Sequence, residues 1–356
     1  MSPGAFFARG MGASLLGDYE LASQYGDIAK ALLVERNAHD LLSRFAVWAL
    51  LILTRPIQLS LKPHLETYQL SLRYGDTVTA GIALIGYLES SFISGKSLTD
   101  IELDCERYYP QMKEFANDSN TKHFKTFYQV LQLLIGKSEN ENSSYGEGIM
   151  LHGEVLTRDE SDKFATDQES AIARNLTQVY LILFCLYLGE FEAGAKVALA
   201  HQKSILKEIP NLTITITCIF AQGIIFCGMA KSNPRKQGLY KRQAKRCLKL
   251  LRNRAKKGNP NVHHYVLFIE AELVAACKNP NFNRASELFQ EAIKISGRAG
   301  FVQDCALAHE RYGELCLKIN EKDEAVFRFN KAFELYKEWG AKQKHEQMKK
   351  KYSGYI

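Results

Sequence analysis

Apolar residues return every three or four positions along most of this chain. Tyr240, Ala244, Cys247, Leu248, Leu251 and Ala255 are one such stripe, and a 3.6-residue period of this kind marks an amphipathic helix. The pattern predicts helices over 5–16, 18–36, 38–54, 60–74, 76–94, 98–116, 120–136 and 168–188. It continues over 190–208, 212–230, 236–257, 261–278, 282–298, 301–319, 321–338 and 340–352. The intervening stretches "LGD", "SGKS", "LGE", "KGNPN", "KNPN" and "KINEKD" carry the glycines, prolines and asparagines that break helices. Only eight prolines occur, which favours long unbroken helices because proline removes a helical hydrogen bond. One segment, Gly136 to Ser170, is rich in Gly, Ser and acidic residues and has no stable stripe until its end. It is expected to be a long loop or partly ordered insert with a short helix. The organisation expected is an N-terminal helical array (1–136), the insert (137–167) and a C-terminal array (168–356), joined as one continuous solenoid.

The C-terminal pattern repeats. "HERYGELCLKINEKDEAVFRFNKAFELYKEWG" places Gly313, Ala325, Phe329 and Ala332 at the relative spacing of a tetratricopeptide repeat. The physical basis is close packing: a small residue on the first helix admits the second, two alanines line the seam, and the aromatic fills the groove. Ala285, Phe289 and Ala292 repeat the second half, Ala285 lying 40 residues before Ala325. Further copies are expected at Ala193, Val197 and Ala200, and at Ala22, Gly26 and Ala29. The 40-residue spacing exceeds the usual unit of about 34, so turns or helices are longer here. The fold class expected is all-α, an α-solenoid of tetratricopeptide-like helix-turn-helix repeats.

Length and composition fit this. By length alone, 356 residues suggest two domains, but arrays grow by stacking rather than by adding cores. Hydrophobic residues make up 46% and charged residues 24%, so the chain is neither disordered nor membrane-saturated. None of the eight cysteines falls in a C-x-x-C pair, which gives no local support to a zinc or redox site. Most sit at apolar helical positions, as small hydrophobes, pointing to a reducing, cytoplasmic setting. The N-terminus has no long apolar core of signal-peptide type. N-x-S/T matches at Asn117, Asn142, Asn175 and Asn211 are therefore discounted. The uncharged run Leu212 to Ala230 reaches membrane-spanning length, but its threonines, glutamine and glycines suit a helix buried on all sides of a soluble protein.

"YLESSFISGKSLTD" (87–100) ends like a phosphate-binding loop. Such a loop needs G-x-x-x-x-G-K-[ST], and Ser90 occupies the first glycine position. It should also follow a buried strand, whereas "TVTAGIALIGYLESSFI" carries helically spaced small residues. The stretch is expected to be a helical corner, with Gly95 as a C-terminal cap and Ser97 or Thr99 capping the next helix.

Charge changes the picture at one place. Twelve Lys or Arg lie between Lys231 and Lys257, and no acid occurs between Glu208 and Glu270. The whole chain carries only +7, so the positive charge is local. Lys241, Arg242, Lys245, Arg246, Lys249 and Arg252 form the face opposite the apolar stripe. Such a face suits nucleic-acid phosphates, anionic lipid heads or an acidic protein segment. Scarce aromatics make single-stranded nucleic acid the weaker fit. "KQKHEQMKKKY" (342–352) is expected to be a terminal solubility cap. His263 and His264 point to different faces without partners at i+3 or i+4 and are expected to be structural or exposed. Glu102 with Asp104, and Asp159 with Glu160 and Asp162, are expected to cap helices or face water. No catalytic constellation, metal site or cofactor site emerges, and no G-x-S-x-G occurs.

The stretches "RGMGASLLGDYELASQYG", "SGKSLTDIELDCERYYPQM", "LLIGKSENENSSYGEGIMLHGE", "FCLYLGEFEAGAKVAL", "ASELFQEAIKISGRAGFVQDCALAHERYGELCL" and "AFELYKEWGAKQKHEQMKKKY" occur in this order. Together they resemble the tetratricopeptide-like helical repeat region of large multidomain signalling proteins. In that family the region follows an AAA-type ATPase module, often with a protein kinase ahead and a sensor histidine kinase or nucleotide cyclase behind. The "SGKSLTDIE" corner and the "ELYKEWGA" end are its more specific pieces. The resemblance implies a non-enzymatic interaction or regulatory scaffold, since the catalytic modules are missing from this chain. The partner expected is a protein or neighbouring domain on a concave face, with no small-molecule substrate and no cofactor. The alternative is binding of nucleic acid or acidic lipid through the basic helix 235–257. The first residues, "MSPGAFFARG", already fall within a repeat, which leaves two expectations open, a piece of a larger signalling protein or a stand-alone adaptor.

Overall fold

The computed structural model describes residues 2–35, 40–115, 118–137, 151–167, 170–210 and 212–356, and among them every regular element is helical. The first half contains α1 (Pro3–Leu16), α2 (Tyr19–Glu35), α3 (Leu41–Leu51), α4 (Leu61–Arg73), α5 (Thr77–Ile93), α6 (Leu98–Phe115) and α7 (Asp118–Ile135). A short helix, α8 (Arg158–Ala165), precedes α9 (Ala171–Leu188), α10 (Phe191–Glu208) and α11 (Thr213–Ser232). The chain ends with α12 (Gln237–Lys256), α13 (His263–Ala275), α14 (Phe282–Arg298), α15 (Val302–Lys318), α16 (Lys322–Trp339) and α17 (Lys342–Lys351). Helix boundaries follow the breakers. Pro260 and Val262 bound a short 3-10 turn, so α13 begins two residues later than periodicity suggested.

Helices pack chiefly on their neighbours in sequence order, and α9, α11, α13 and α15 also touch in succession to form one row. Three of the four expected seams are those the small residues predict. A Cβ on Gly313 would stand 2.7 Å from the Phe329 ring, so α15 and α16 pack this closely only because Gly313 has no side chain. Ala325, Phe329 and Ala332 are fully buried beneath it, as are Ala285 and Phe289, with Ala292 all but buried. Ala22, Gly26 and Ala29 are buried in α2. In α10 the register differs from expectation. Ala200 is exposed and Ala193 and Val197 are half-buried, while Gly194, Ala195 and Ala198 line the seam. "AGAKVALA" offers small residues in two adjacent registers. The packing of α9 and α11 selects the one in which a Cβ at Gly194 would lie 2.9 Å from both Cys185 and Ile225.

The first half also folds back on this row. Phe92 of α5 packs against Tyr187 of α9 and Trp339 of α16, with ring centroids 6.2 and 5.7 Å away. Asn261 donates to the Ile52 and Arg55 carbonyls at 2.9 Å and accepts from Ile57 N at 3.0 Å. Gln303 donates to the Ile93 carbonyl at 2.8 Å. One apolar core therefore runs from Ile57 to Tyr352, beside two small clusters within α1–α3. These contacts leave α11 buried from Ile214 to Ala230, α9 from Asn175 to Leu188 and α15 from Gln303 to Gly313. The apolar runs of α9 and α11 are long enough to cross a membrane, but both are mostly buried inside the protein.

Residues 138–150 of the insert lie outside the described residues. Its second half is packed: Leu151, Val155, Leu156 and Phe164 are buried, and Gln129 Oε1 accepts from Val155 N and Leu156 N at 3.1 Å. Thr157 and Glu160 form a capping box that starts α8, the role expected for Glu160.

Candidate functional site

The "SGKS" corner is a helical turn between α5 and α6. Gly95 takes φ +87°, the left-handed conformation glycine adopts without strain, and a Cβ there would lie 2.3 Å from the Gly300 carbonyl. The corner is thus wedged against the α14–α15 turn. Lys96 Nζ lies 2.8 Å from Asp104 Oδ2 and 3.0 Å from the Tyr87 hydroxyl. Burial opposes its charge, but these bonds outweigh it and raise its pKa. Glu102 and Asp104 are therefore not helix caps: Asp104 holds Lys96, and the buried Glu102 pairs with Lys137 at 3.0 Å.

The basic helix forms as expected. Tyr240, Ala244, Cys247, Leu248 and Leu251 are buried and Ala255 is half-buried, although the neighbouring Leu239 is exposed. Gly223 of α11 lets α12 and α13 approach: a Cβ there would meet Ile269 at 2.4 Å and Cys247 at 3.4 Å. On the opposite face Arg242, Lys245, Arg246, Lys249 and Arg252 are exposed and Lys241 is half-buried. Only Arg252 of these six pairs with a carboxylate among the described residues, Glu270 at 2.8 Å. Lys241, Lys245 and Lys249 succeed one another at i, i+4, as do Arg242 and Arg246. Like charges at this spacing oppose the helix by about 0.2–0.5 kcal/mol a pair. The buried stripe holds the helix against that repulsion. Arg246, Lys249, Leu250, Arg252, Asn253 and Lys256 line a hollow of ≈ 640 Å³ on this face.

A second charged site was missed by the sequence reading. Glu272 of α13, fully buried, accepts from Lys231 at 2.7 Å and from Arg311 Nε and Nη2 at 2.8 and 3.3 Å. Arg311 Nη1 reaches Glu314 at 2.5 Å, and Lys351 and the Tyr352 hydroxyl both meet Glu314 at 2.7 Å. Lys344 Nζ lies 2.8 Å from Glu310, which also accepts from the Tyr336 hydroxyl at 3.0 Å. Burial alone would raise the pKa of Glu272, but Arg311 and Lys231 outweigh it and hold it low. Glu314 is lowered in the same way, its burial outweighed by Arg311 and Lys351. The buried Lys344 has its pKa lowered by desolvation. The "KQKHEQMKKKY" stretch is therefore not a solubility cap. Lys344 and Met348 are buried, and α17 docks on α15 through Lys344, Lys351 and Tyr352. The sequence signal was present in "HERYGEL", where three charged residues interrupt an otherwise core-forming helix.

The remaining candidates are structural. His263 is exposed, while His264 is buried, stacked on Phe301 and 3.0 Å from Asp304 Oδ2. No group of residues able to hold a metal occurs among the described residues. All eight cysteines are free thiols, and burial pushes Cys185, Cys218, Cys247 and Cys316 up to about 12, far from the range of a nucleophilic thiolate. Asn175 is buried and donates to the Ala171 carbonyl; Asn117, Asn142 and Asn211 lie outside the described residues. No protein-family model matches the chain, and no curated protein matches it.

Proposed function

We propose that this chain is a tetratricopeptide-like α-solenoid acting as a non-enzymatic interaction or regulatory scaffold, of the kind found within multidomain signalling ATPases and kinases. Its binding surface is the basic face of α12, and the partner is an acidic segment of another protein or of a neighbouring domain in the cytoplasm. One observation carries this reading: five cations, Lys241, Arg242, Lys245, Arg246 and Lys249, stand on one rigid helix without an acidic partner among the described residues. A solvated helix usually mixes charge signs, and an anionic partner relieves the repulsion along this one. The sequential packing of helices and the glycine and alanine seams support the repeat architecture. The inner row is largely covered by the chain's own helices, which favours the outer helix for contact.

The test is fluorescence anisotropy with a labelled Glu/Asp-rich peptide, against Lys245→Glu/Arg246→Glu/Lys249→Glu. The peptide binds the wild type, weakens as salt rises, and loses at least tenfold in affinity with the triple variant. Binding of duplex nucleic acid or phosphatidylserine vesicles in place of the peptide moves the function to the anionic-surface alternative. If the triple variant binds all three probes as the wild type does, the basic face has no such role.

A further inference from the structure

We propose that the hollow between the α9–α10 turn, the end of α11, α15 and α17 is a binding site for a small organic anion, with a carboxylate or phosphate head on a compact apolar body. The hollow measures ≈ 350 Å³, within the range of small-ligand sites. Four cationic heads line it: Lys231, Arg311, Lys344 and Lys351. The carboxylates that meet them are Glu310 and Glu314 in the lining and Glu272 behind it. Three carboxylates against four cations leave one positive charge uncompensated. Each cation keeps a carboxylate contact, and the net positive charge beside an open hollow is complementary to an anion. Donors remain to receive it. An ammonium carries three N–H groups and a guanidinium five. Lys231 and Lys351 each meet one carboxylate, and Arg311 retains two N–H groups beyond its contacts with Glu272 and Glu314.

The other wall is apolar, formed by Leu186, Phe191 and Leu307. The guanidinium of Arg311 lies over the Phe191 ring at 5.0 Å, so the apolar wall and the cations meet edge to edge. Gly228 sets the place of that ring, since a Cβ there would fall 2.3 Å from Phe191 Cδ2. Gly189 leaves the turn beside it open, with nothing within 4 Å of where its Cβ would be. A network that served only to fasten α17 would need neither the hollow nor the extra cation.

The experiment is isothermal titration of the full chain at low ionic strength with phenyl phosphate, benzoate and, as the neutral control, benzyl alcohol. At least one anion binds saturably with one-to-one stoichiometry and benzyl alcohol does not; the stronger of the two anions identifies the head group. Affinity falls at least tenfold in Lys231→Met and in Lys351→Met, both at partly exposed side chains. It also falls in Gly228→Ala, which moves the Phe191 ring without altering charge. The Lys245→Glu/Arg246→Glu/Lys249→Glu variant binds these anions as the wild type does, which separates this site from the basic face of α12. The proposal is overturned if the wild type binds neither anion saturably up to millimolar concentration. It is equally overturned if the folded variants among these three bind as the wild type does.

Discussion

Arg311→Met and Glu272→Met test whether the buried network stabilises the fold through pairing or merely occupies space. The arginine gives three of its nitrogens to two carboxylates, at 2.8 and 3.3 Å to Glu272 and 2.5 Å to Glu314. Its removal leaves Glu272, fully buried, with Lys231 as its one ion pair among the described residues. Breaking a buried pair from one side costs about 3–5 kcal/mol. The surviving Lys231 contact places Arg311→Met near the lower end. Glu272→Met takes the carboxylate from two cations at once, Arg311 and Lys231, leaving Glu314 to meet the arginine, and belongs at the upper end. Arg311→Met/Glu272→Met removes both charges and fills the space with thioether side chains, which also pack well on a ring such as Phe191. Replacing a whole buried pair in this way is commonly near neutral. Lys231, already part-exposed, can turn to solvent, and Glu314 keeps Lys351 and Tyr352. The double variant should therefore be more stable than either single one, with a coupling energy of at least about 3 kcal/mol. The assay is urea unfolding followed by far-UV circular dichroism and by Trp339 fluorescence in a Trp48→Phe background. Trp339 is buried against Tyr187 of α9 and reports on the closure of this region. Additive costs in the double variant, or a single-variant cost under 1 kcal/mol, would refute the reasoning.

Three further outcomes are expected. His64 and His309 are buried with pKa values lowered to about 4 and about 3, first by desolvation; in the unfolded chain they titrate near 6.5. The unfolded state therefore takes up protons first, and stability present above pH ~6.5 falls as pH drops toward 4. The urea midpoint should decline across that window and flatten in His64→Gln/His309→Gln; an unchanged wild-type midpoint between pH 7 and 4.5 would contradict it. Gly313→Val drives a branched side chain into the Phe329 ring and should cost about 1–3 kcal/mol. Gly12→Ala, at an exposed mid-helix site with nothing within 4 Å, should instead stabilise by about 0.5–1 kcal/mol, and thermal melts of the two variants should move in opposite directions.

Much of the fold was legible because it is written in local spacing. Gly313, Ala325, Phe329 and Ala332 declare their seam within one helical hairpin, and the breakers "KGNPN" and "KINEKD" mark ends that backbone chemistry enforces. The α10 register was not legible, since "AGAKVALA" satisfies two registers equally and only contacts with α9 and α11 choose between them. The basic face of α12 was also visible, because charge sign and period alone define it. The network around Arg311 was legible only as the charged residues within "HERYGEL"; its partners lie on α11, α13 and α17, and no local period relates them to α15. Lys344 shows the difference most plainly. In "KQKHEQMKKKY" it is one lysine among several, and only the docking of α17 turns it inward to Glu310.

The same distinction explains why α11 is apolar on every side. In a stack whose helices touch only sequential neighbours, an inner helix keeps one open flank, and that flank is usually polar. Here α11 touches α9, α10, α12 and α13, and α5 comes back onto it from the first half. Leu212 to Ala230 therefore has no charged residue because no flank faces water. The fold-back depends on short, specific contacts, with Asn261 holding the Ile52–Ile57 backbone and Gln303 holding Ile93. Each comes from a turn or helix start that periodicity treats as punctuation. Closing the inner row in this way leaves the outward basic face of α12 and the cationic hollow beside α17 among the open surfaces of the described residues, with a further hollow between the α1–α2 turn and the end of α12. The two cation-rich places, the face of α12 and the hollow beside α17, are where anionic partners should be sought.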